Sequence, residues 1–167
     1  MTDAAAPATL RIVVGVDGSP PSKVALRWAA CLARSWPGAE IEAVSAWHVP
    51  SSYGWTTLAP DNWNPREEAE RYLRAAVAEA LGDDQPPKLV LTVEEGLPTR
   101  VLLRHSQHAS MLVVGSRGRG GFAALLLGSV GRGCVEHATC PVLVVHGDTV
   151  PAPIDPVPFA PAGSSRA

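Results

Sequence analysis

The chain has 167 residues, 46% of them hydrophobic, which is enough for one buried core and too few for two comfortable domains. Its formal net charge is −2 and it holds no dense Lys/Arg block, so the electrostatic footprint of a nucleic-acid binder is missing. No apolar stretch nears the roughly 20 residues that span a bilayer, and Cys31, Cys134 and Cys140 follow no disulfide-framework spacing behind no basic-plus-apolar leader, so the expectation is a cytoplasmic protein without a membrane partner.

Residues 1–9 have little to bury and read as a flexible terminus. "LRIVVGVDG" is a continuous apolar run rich in β-branched residues, the pattern of a parallel strand covered on both faces. "SPPSKVALRWAACLARSWPG" opens on Ser and Pro start signals and sets Ala25, Trp28, Ala29, Leu32 and Trp36 on one helical face before Gly38. "AEIEAVSAWHV" predicts a second strand, and "PSSYGWTTLAPDNWN" a long connection of the kind that serves as a lid or binding loop. Asn64, Pro65 and Glu67 then form an N-cap, a first-turn proline and an N3 glutamate. The helix they open has an apolar face of Ala69, Leu73, Ala76 and Ala80, with Glu67/Arg71 and Glu70/Arg74 as i,i+4 pairs, and Gly82 closes it. "KLVLTVEEG" is a third strand, "LPTRVLLRHSQHA" a third helix with Pro98 in its first turn, and "SMLVVGS" a fourth strand. A Gly-rich stretch, a weaker helix "VGRGCVEHAT" and a fifth strand "CPVLVVH" complete an alternation that predicts an open parallel α/β sheet with right-handed crossovers. Residues 148–167 are Pro-rich and aperiodic, a disordered tail behind a single domain over 10–147.

In such a sheet ligands lie beyond the carboxyl ends of the strands, where strand order reverses. Two loops meet that description: "GVDGSPPS" after the first strand, and the loop that starts at Gly115 after the fourth. The latter carries Gly115, Gly118 and Gly128-Ser129 in the spacing G-x2-G-x9-G-S. Glycines let a backbone approach an anion without a Cβ in the way, and a helix starting at Gly128 offers free N–H groups and a favourable dipole to phosphate. Two readings stand side by side at this point, a phosphate cradle and a flexible Gly-rich crossover. A Walker-type loop is excluded, since no G-x4-G-K-[ST] occurs, and "GVDGSP" lacks the G-x-G-x-x-G dinucleotide fingerprint.

"RIVVGVDGSPPS", "VEEGLPTRVLL" and "MLVVGSRGRGGFAALLLGSV", with "HATCPVLVV" behind them, resemble the nucleotide-binding branch of the universal stress protein family from Leu10 to His146. The resemblance implies a three-layer, Rossmann-like α/β fold whose five parallel strands run in the order 3-2-1-4-5. It implies ATP as ligand, accompanied by Mg2+, with Gly15 and Asp17 against ribose and phosphates and the backbone of Ala46 against adenine. Gly115, Arg117, Gly118, Gly128, Ser129 and Val130 would line triphosphate and ribose, Ser129 through its hydroxyl, with Arg117 or Arg119 supplying positive charge and Asp17 the clear nearby carboxylate. Members usually dimerise through their last strands, here residues 141–146, whose apolar edge is a liability unless paired or covered. The chain departs from its relatives at Ser110, where many carry Asp. It departs again at Gly131 and Gly133, each costing about 1 kcal/mol relative to Ala if helical and loosening the helix start until phosphate binds.

Other residues carry blander readings. Cys134, His137 and Cys140 are spaced for metal or redox chemistry, but the first two fall on a packed helix and no fourth ligand is near. His105 and His108 read as a solvated helix face, and Trp28 and Trp36 as core packing. Trp47, Trp55 and Trp63 belong near an adenine site, as base stackers or as cover for the sheet edge. No Ser-His-Asp order, paired carboxylates or H-E-x-x-H appears, and nothing in the spacing of Glu94, Glu95 and Asp17 demands an attacking water, so ATP hydrolysis would be slow at most. The expectation is a nucleotide-dependent stress or regulatory module with an unnamed protein partner. A nucleotide-independent dimeric scaffold and an adenylate-forming or ATP-hydrolysing enzyme are the alternatives.

Overall fold

Ile12, Val13 and Val14 are fully buried in succession in the strand Arg11–Gly15 (β1). Successive strand side chains point to opposite faces, so three buried neighbours require cover on both. The computed structural model describes residues 9–48, 64–86, 88–118 and 127–150, and it supplies that cover with helices. The order along the chain is β1, α1 (Pro20–Arg34), β2 (Glu40–Trp47), α2 (Pro65–Leu81), β3 (Leu89–Glu95), α3 (Pro98–Ser106), β4 (Met111–Gly115), α4 (Ser129–His137) and β5 (Val142–Val145). All pairings are parallel and the sheet runs β3-β2-β1-β4-β5, so β1 lies in the middle and the order reverses between β1 and β4.

Three layers result. On one face Ile12, Val14, Ile41 and Ala43 pack against Ala25 and Ala29 of α1 and Leu73 and Val77 of α2. On the other, Val13, Leu112 and Val114 meet Val101 and Leu102 of α3 and Cys134 of α4. This is the Rossmann-like α/β fold expected from the alternation of apolar runs and helical faces.

The local signals work as capping chemistry requires. Ser19 is the N-cap of α1 and accepts a hydrogen bond from the Ser22 amide, with Pro20 and Pro21 in the first turn. Asn64 caps α2 by accepting from the amides of Arg66 and Glu67 at 3.2 and 3.3 Å, and its own amide donates to Glu67 Oε1 at 2.9 Å. That bond draws Glu67 back toward the cap, so Arg71 pairs with Glu68 at 3.9 Å instead, while the expected Glu70–Arg74 pair forms at 3.1 Å. Gly82 ends α2 with φ +54°, a conformation that an L side chain resists.

The tryptophans of the first helical segment divide. Trp28 packs on the core and donates Nε1 to the Thr149 carbonyl at 2.9 Å, and Val150 joins the same core, so the chain beyond β5 returns along α1. Trp36 departs from the expected core face: α1 ends at Arg34, the capping residue Ser35 bonds back to Leu32, and Trp36 enters the turn 54% exposed. Trp55 and Trp63 lie outside the described residues.

Candidate functional site

The reversal of strand order leaves a cleft of about 840 Å3 at the carboxyl ends of β1, β2 and β4. Gly15, Asp17, Ala46, Gly115, Arg117, Gly118, Gly128, Ser129 and Val130 all line it, and Arg119 lies outside the described residues. The glycine-rich loop and the Asp-Gly loop are thus brought to one place, although about a hundred residues separate them in the chain.

Their approach is close enough to dictate residue type. Asp17 Oδ1 accepts from the Ser19 amide at 2.9 Å and from the Ser19 hydroxyl at 2.5 Å, which folds the loop into the start of α1. A Cβ built on Gly118 would stand 2.5 Å from Asp17 Oδ2, nearer than real Cβ atoms come. A Cβ on Gly115 would stand 2.8 Å from the backbone carbon of Pro21, which cannot swing aside as a side chain can. Gly115→Ala is expected to lower stability by about 1–3 kcal/mol through overpacking, read as a shifted urea midpoint at unchanged slope.

The far end of the loop is a helix start. Gly128 is the N-cap of α4, and among the described residues no side chain caps that helix. The Gly128 amide donates to the Ser116 carbonyl at 2.8 Å, and the Gly128 carbonyl accepts from the Arg132 amide at 2.9 Å. The first amides of a helix have no acceptor within it, so those of Ser129, Val130 and Gly131 belong to a cleft-lining turn at the positive end of the helix dipole. Chemically this is a site for an anion. Gly131 and Gly133 lie where neighbouring side chains come close. A Cβ on Gly131 would meet Leu127 and one on Gly133 would meet Thr99, each at 2.7 Å, so both glycines let α4 pack tightly.

Sequence reasoning missed part of the wall. Pro65, Glu68 and Tyr72 of α2 and His48 line the cleft beside Trp47, which the sequence did place near it, and the Tyr72 hydroxyl donates to Glu68 Oε1 at 3.1 Å. Positions 65, 68, 69 and 72 share one helical face, a signal that was available, but the angle at which α2 crosses the sheet was not. Ser116, 3% exposed, also lines the cleft.

Three side readings now have locations. Cys134 is fully buried in the core, where burial and then the nearby Cys140 push its thiol up to about 11, and among the described residues no three His, Cys, Asp or Glu side chains gather as a metal site. His105 departs from the solvated face expected from sequence, whereas His108 lies beyond the end of α3 and is exposed. The His105 side chain is 17% exposed and sits between two carboxylates, Nδ1 at 3.0 Å from Glu42 and Nε2 at 2.6 Å from Glu94. Arg104 also holds Glu94, which stands outside the cleft lining. Glu42 is buried because Arg11 and Thr92 bind its oxygens at 2.6 and 2.8 Å. Burial pushes this carboxyl up, but the Arg11 and Thr92 hydrogen bonds and the charge on His105 outweigh it, leaving Glu42 below the usual carboxylate range.

The model of the universal stress protein family matches residues 9–146. A universal stress protein of Mycolicibacterium smegmatis is 36% identical over 138 residues, which cover 82% of this chain and 46% of the relative. The chain spans about half the length of the curated relatives it matches. Among solved structures, a universal stress protein in complex with cAMP is 24% identical with a TM-score of 0.58, over 83% of this chain and 97% of the other. A universal stress protein from Archaeoglobus fulgidus in complex with dAMP is 20% identical with a TM-score of 0.54, over 82% and 98%. At these identities the structures establish shared fold, whereas the family model and the curated relative establish descent: the chain belongs to the universal stress protein family.

Proposed function

We propose that the cleft binds ATP with Mg2+ and that the protein acts as a nucleotide-dependent regulatory module in the stress response. The observation that carries this reading is the α4 N-terminus, uncapped by any side chain and opening onto the cleft where Gly118 meets Asp17. A volume of about 840 Å3 accommodates a nucleotide, within the 300–1,000 Å3 of ordinary ligand sites. The adenine nucleotides held by two structural neighbours, cAMP and dAMP, point to the same ligand class.

In this reading the amides of Ser129 and Val130, set by their N-cap Gly128, and the loop of Gly115, Arg117 and Gly118 hold the phosphates. Gly15 and Asp17 lie beside ribose and phosphate, and Ala46 at the end of β2 meets adenine through its backbone. Arg117 or Arg119 offsets the triphosphate charge. The donor set suits magnesium in the form it takes with nucleotides, one or two carboxylates plus phosphate oxygens and water, with Asp17 as the protein carboxylate. Bound metal supplies charge neutralisation between phosphates.

The proposed working unit is a cytoplasmic homodimer formed along β5, over a domain of residues 10–147. β5 is a sheet edge with half-buried Val142, Leu143 and Val144, a row of unpaired backbone groups suited to a second copy. Nucleotide bound beside Gly115 and Gly118 would bias the choice of a protein partner.

Calorimetric titration of nucleotide-free protein with Mg-ATP, AMP and cAMP tests the reading. Micromolar or tighter binding of Mg-ATP, weakened when Mg2+ is chelated, is expected. A folded protein that binds none of the three is a nucleotide-independent scaffold, and steady-state phosphate release near 1 s⁻¹ or faster would make it an enzyme.

A further inference from the structure

We infer that His146, just past the end of β5, is a positioning residue for the anion cradle and acts through Ser116. The inference rests on the nucleotide reading of the cleft and adds a residue outside its lining. Ser116 follows Gly115 directly, lines the cleft and is 3% exposed, so each of its polar groups needs a partner within the protein. All three have one. Its amide donates to the Val145 carbonyl at 2.8 Å, its carbonyl accepts from the Gly128 amide at 2.8 Å, and its Oγ stands 3.0 Å from His146 Nδ1. One small residue therefore ties the end of β5 to the residue that caps α4.

The Gly128 end of that tie sets the cradle. Gly128 is the N-cap, so the direction in which the first amides of α4 point follows from where its peptide is held. No side chain caps this helix, and the Ser116 carbonyl is the acceptor that fixes the entering peptide. Ser116 is held in turn by His146 on its side-chain face, and losing that bond leaves a buried hydroxyl free to rotate beside the carbonyl that holds Gly128. The bond also decides what the hydroxyl can offer. With hydrogen on Nδ1, His146 donates to Oγ and the hydroxyl keeps its own proton for an acceptor; with hydrogen on Nε2, the hydroxyl spends its proton on the imidazole. An anion in the cleft favours the first arrangement.

Calorimetric titration with Mg-ATP distinguishes this from a packing role. His146→Ala is expected to weaken binding about fivefold, the worth of one neutral hydrogen bond, Ser116→Ala at least as much because the hydroxyl itself goes, and the double variant no more than Ser116→Ala. His146→Asn, whose amide group falls where Nδ1 stands, restores affinity to within about twofold, while His146→Gln, which reaches one bond farther, does not. Additive losses, or equal affinities for the Asn and Gln variants, overturn the inference, and the Asn/Gln pair decides even if the alanine variants fold poorly. Binding by the wild type that His146→Ala leaves unchanged sinks this inference alone. A wild type that does not bind Mg-ATP sinks the nucleotide reading with it.

Discussion

Gly118→Val is expected to lower the affinity for Mg-ATP at least about 100-fold, equivalent to roughly 2.7 kcal/mol, while the protein remains folded. The position is exposed, so the fold itself asks little of it. What it serves is the contact between two loops: even a bare Cβ there would stand 2.5 Å from Asp17 Oδ2. Relief comes only by displacing the Asp17 carboxylate, whose other oxygen accepts from both the amide and the hydroxyl of Ser19. Valine adds two methyl groups that enter the space proposed for phosphate. One substitution therefore removes the close approach of the backbone, misdirects the carboxylate proposed for magnesium and fills the cradle. A thermal midpoint lowered slightly by the displaced Asp17–Ser19 bonds, beside lost binding, is the expected pair of results. Retained affinity would mean that phosphate lies elsewhere in the cleft, along the α2 wall of Glu68 and Tyr72.

Much of this was legible in the chain because the physics is local or strictly periodic. Runs such as Ile12-Val13-Val14 and Leu112-Val113-Val114 announce strands buried on both faces, and Asn64-Pro65 announces a helix start whose cap needs no distant partner. The glycine spacing marked the loop, and its close contacts explain why: Gly115 and Gly118 answer to Pro21 and Asp17. Helix propensity weighs Gly131 and Gly133 alone and does not see Leu127 and Thr99, which stand where a Cβ on each would go. Trp36 was placed in the core because its spacing fits the face of α1, but periodicity does not say where a helix stops, and Ser35 ends it one residue sooner. The His105 cluster was illegible for a stronger reason. It joins β1, β2, β3 and α3, whose members are as much as 94 residues apart if Arg11 and His105 are compared (105 − 11), and its centre, Glu42, alternates with Ile41 and Ala43 as an ordinary solvent-facing strand residue would.

That cluster gives the second large effect, and it depends on pH. Glu42 is 6% exposed, and its two oxygens meet Arg11, Thr92 and His105. Replacing it by Gln preserves volume but leaves Arg11 and His105 without their shared carboxylate. Breaking a buried pair costs about 3–5 kcal/mol, and since Arg11 is 35% exposed and partly screened by water, roughly 2–3 kcal/mol is expected for Glu42→Gln near neutral pH. The sign with pH follows from the direction of the shift. The folded-state carboxyl lies below its ordinary value of 4.5, so the folded state favours the ionised form. Its contribution is complete above that ordinary value and is lost as pH falls from it through the lowered folded value. Urea midpoints of wild type and Glu42→Gln, followed from about pH 6 to about pH 3, should therefore converge on acidification, the wild type losing the stability that the variant never had. Parallel curves would mean that burial cancels the Arg11, Thr92 and His105 contacts and that Glu42 titrates alike folded and unfolded. Convergence would identify a charged strut beneath the β2–β3 edge that holds α3 to the sheet, and with it the Pro98 and Leu102 side of the cleft.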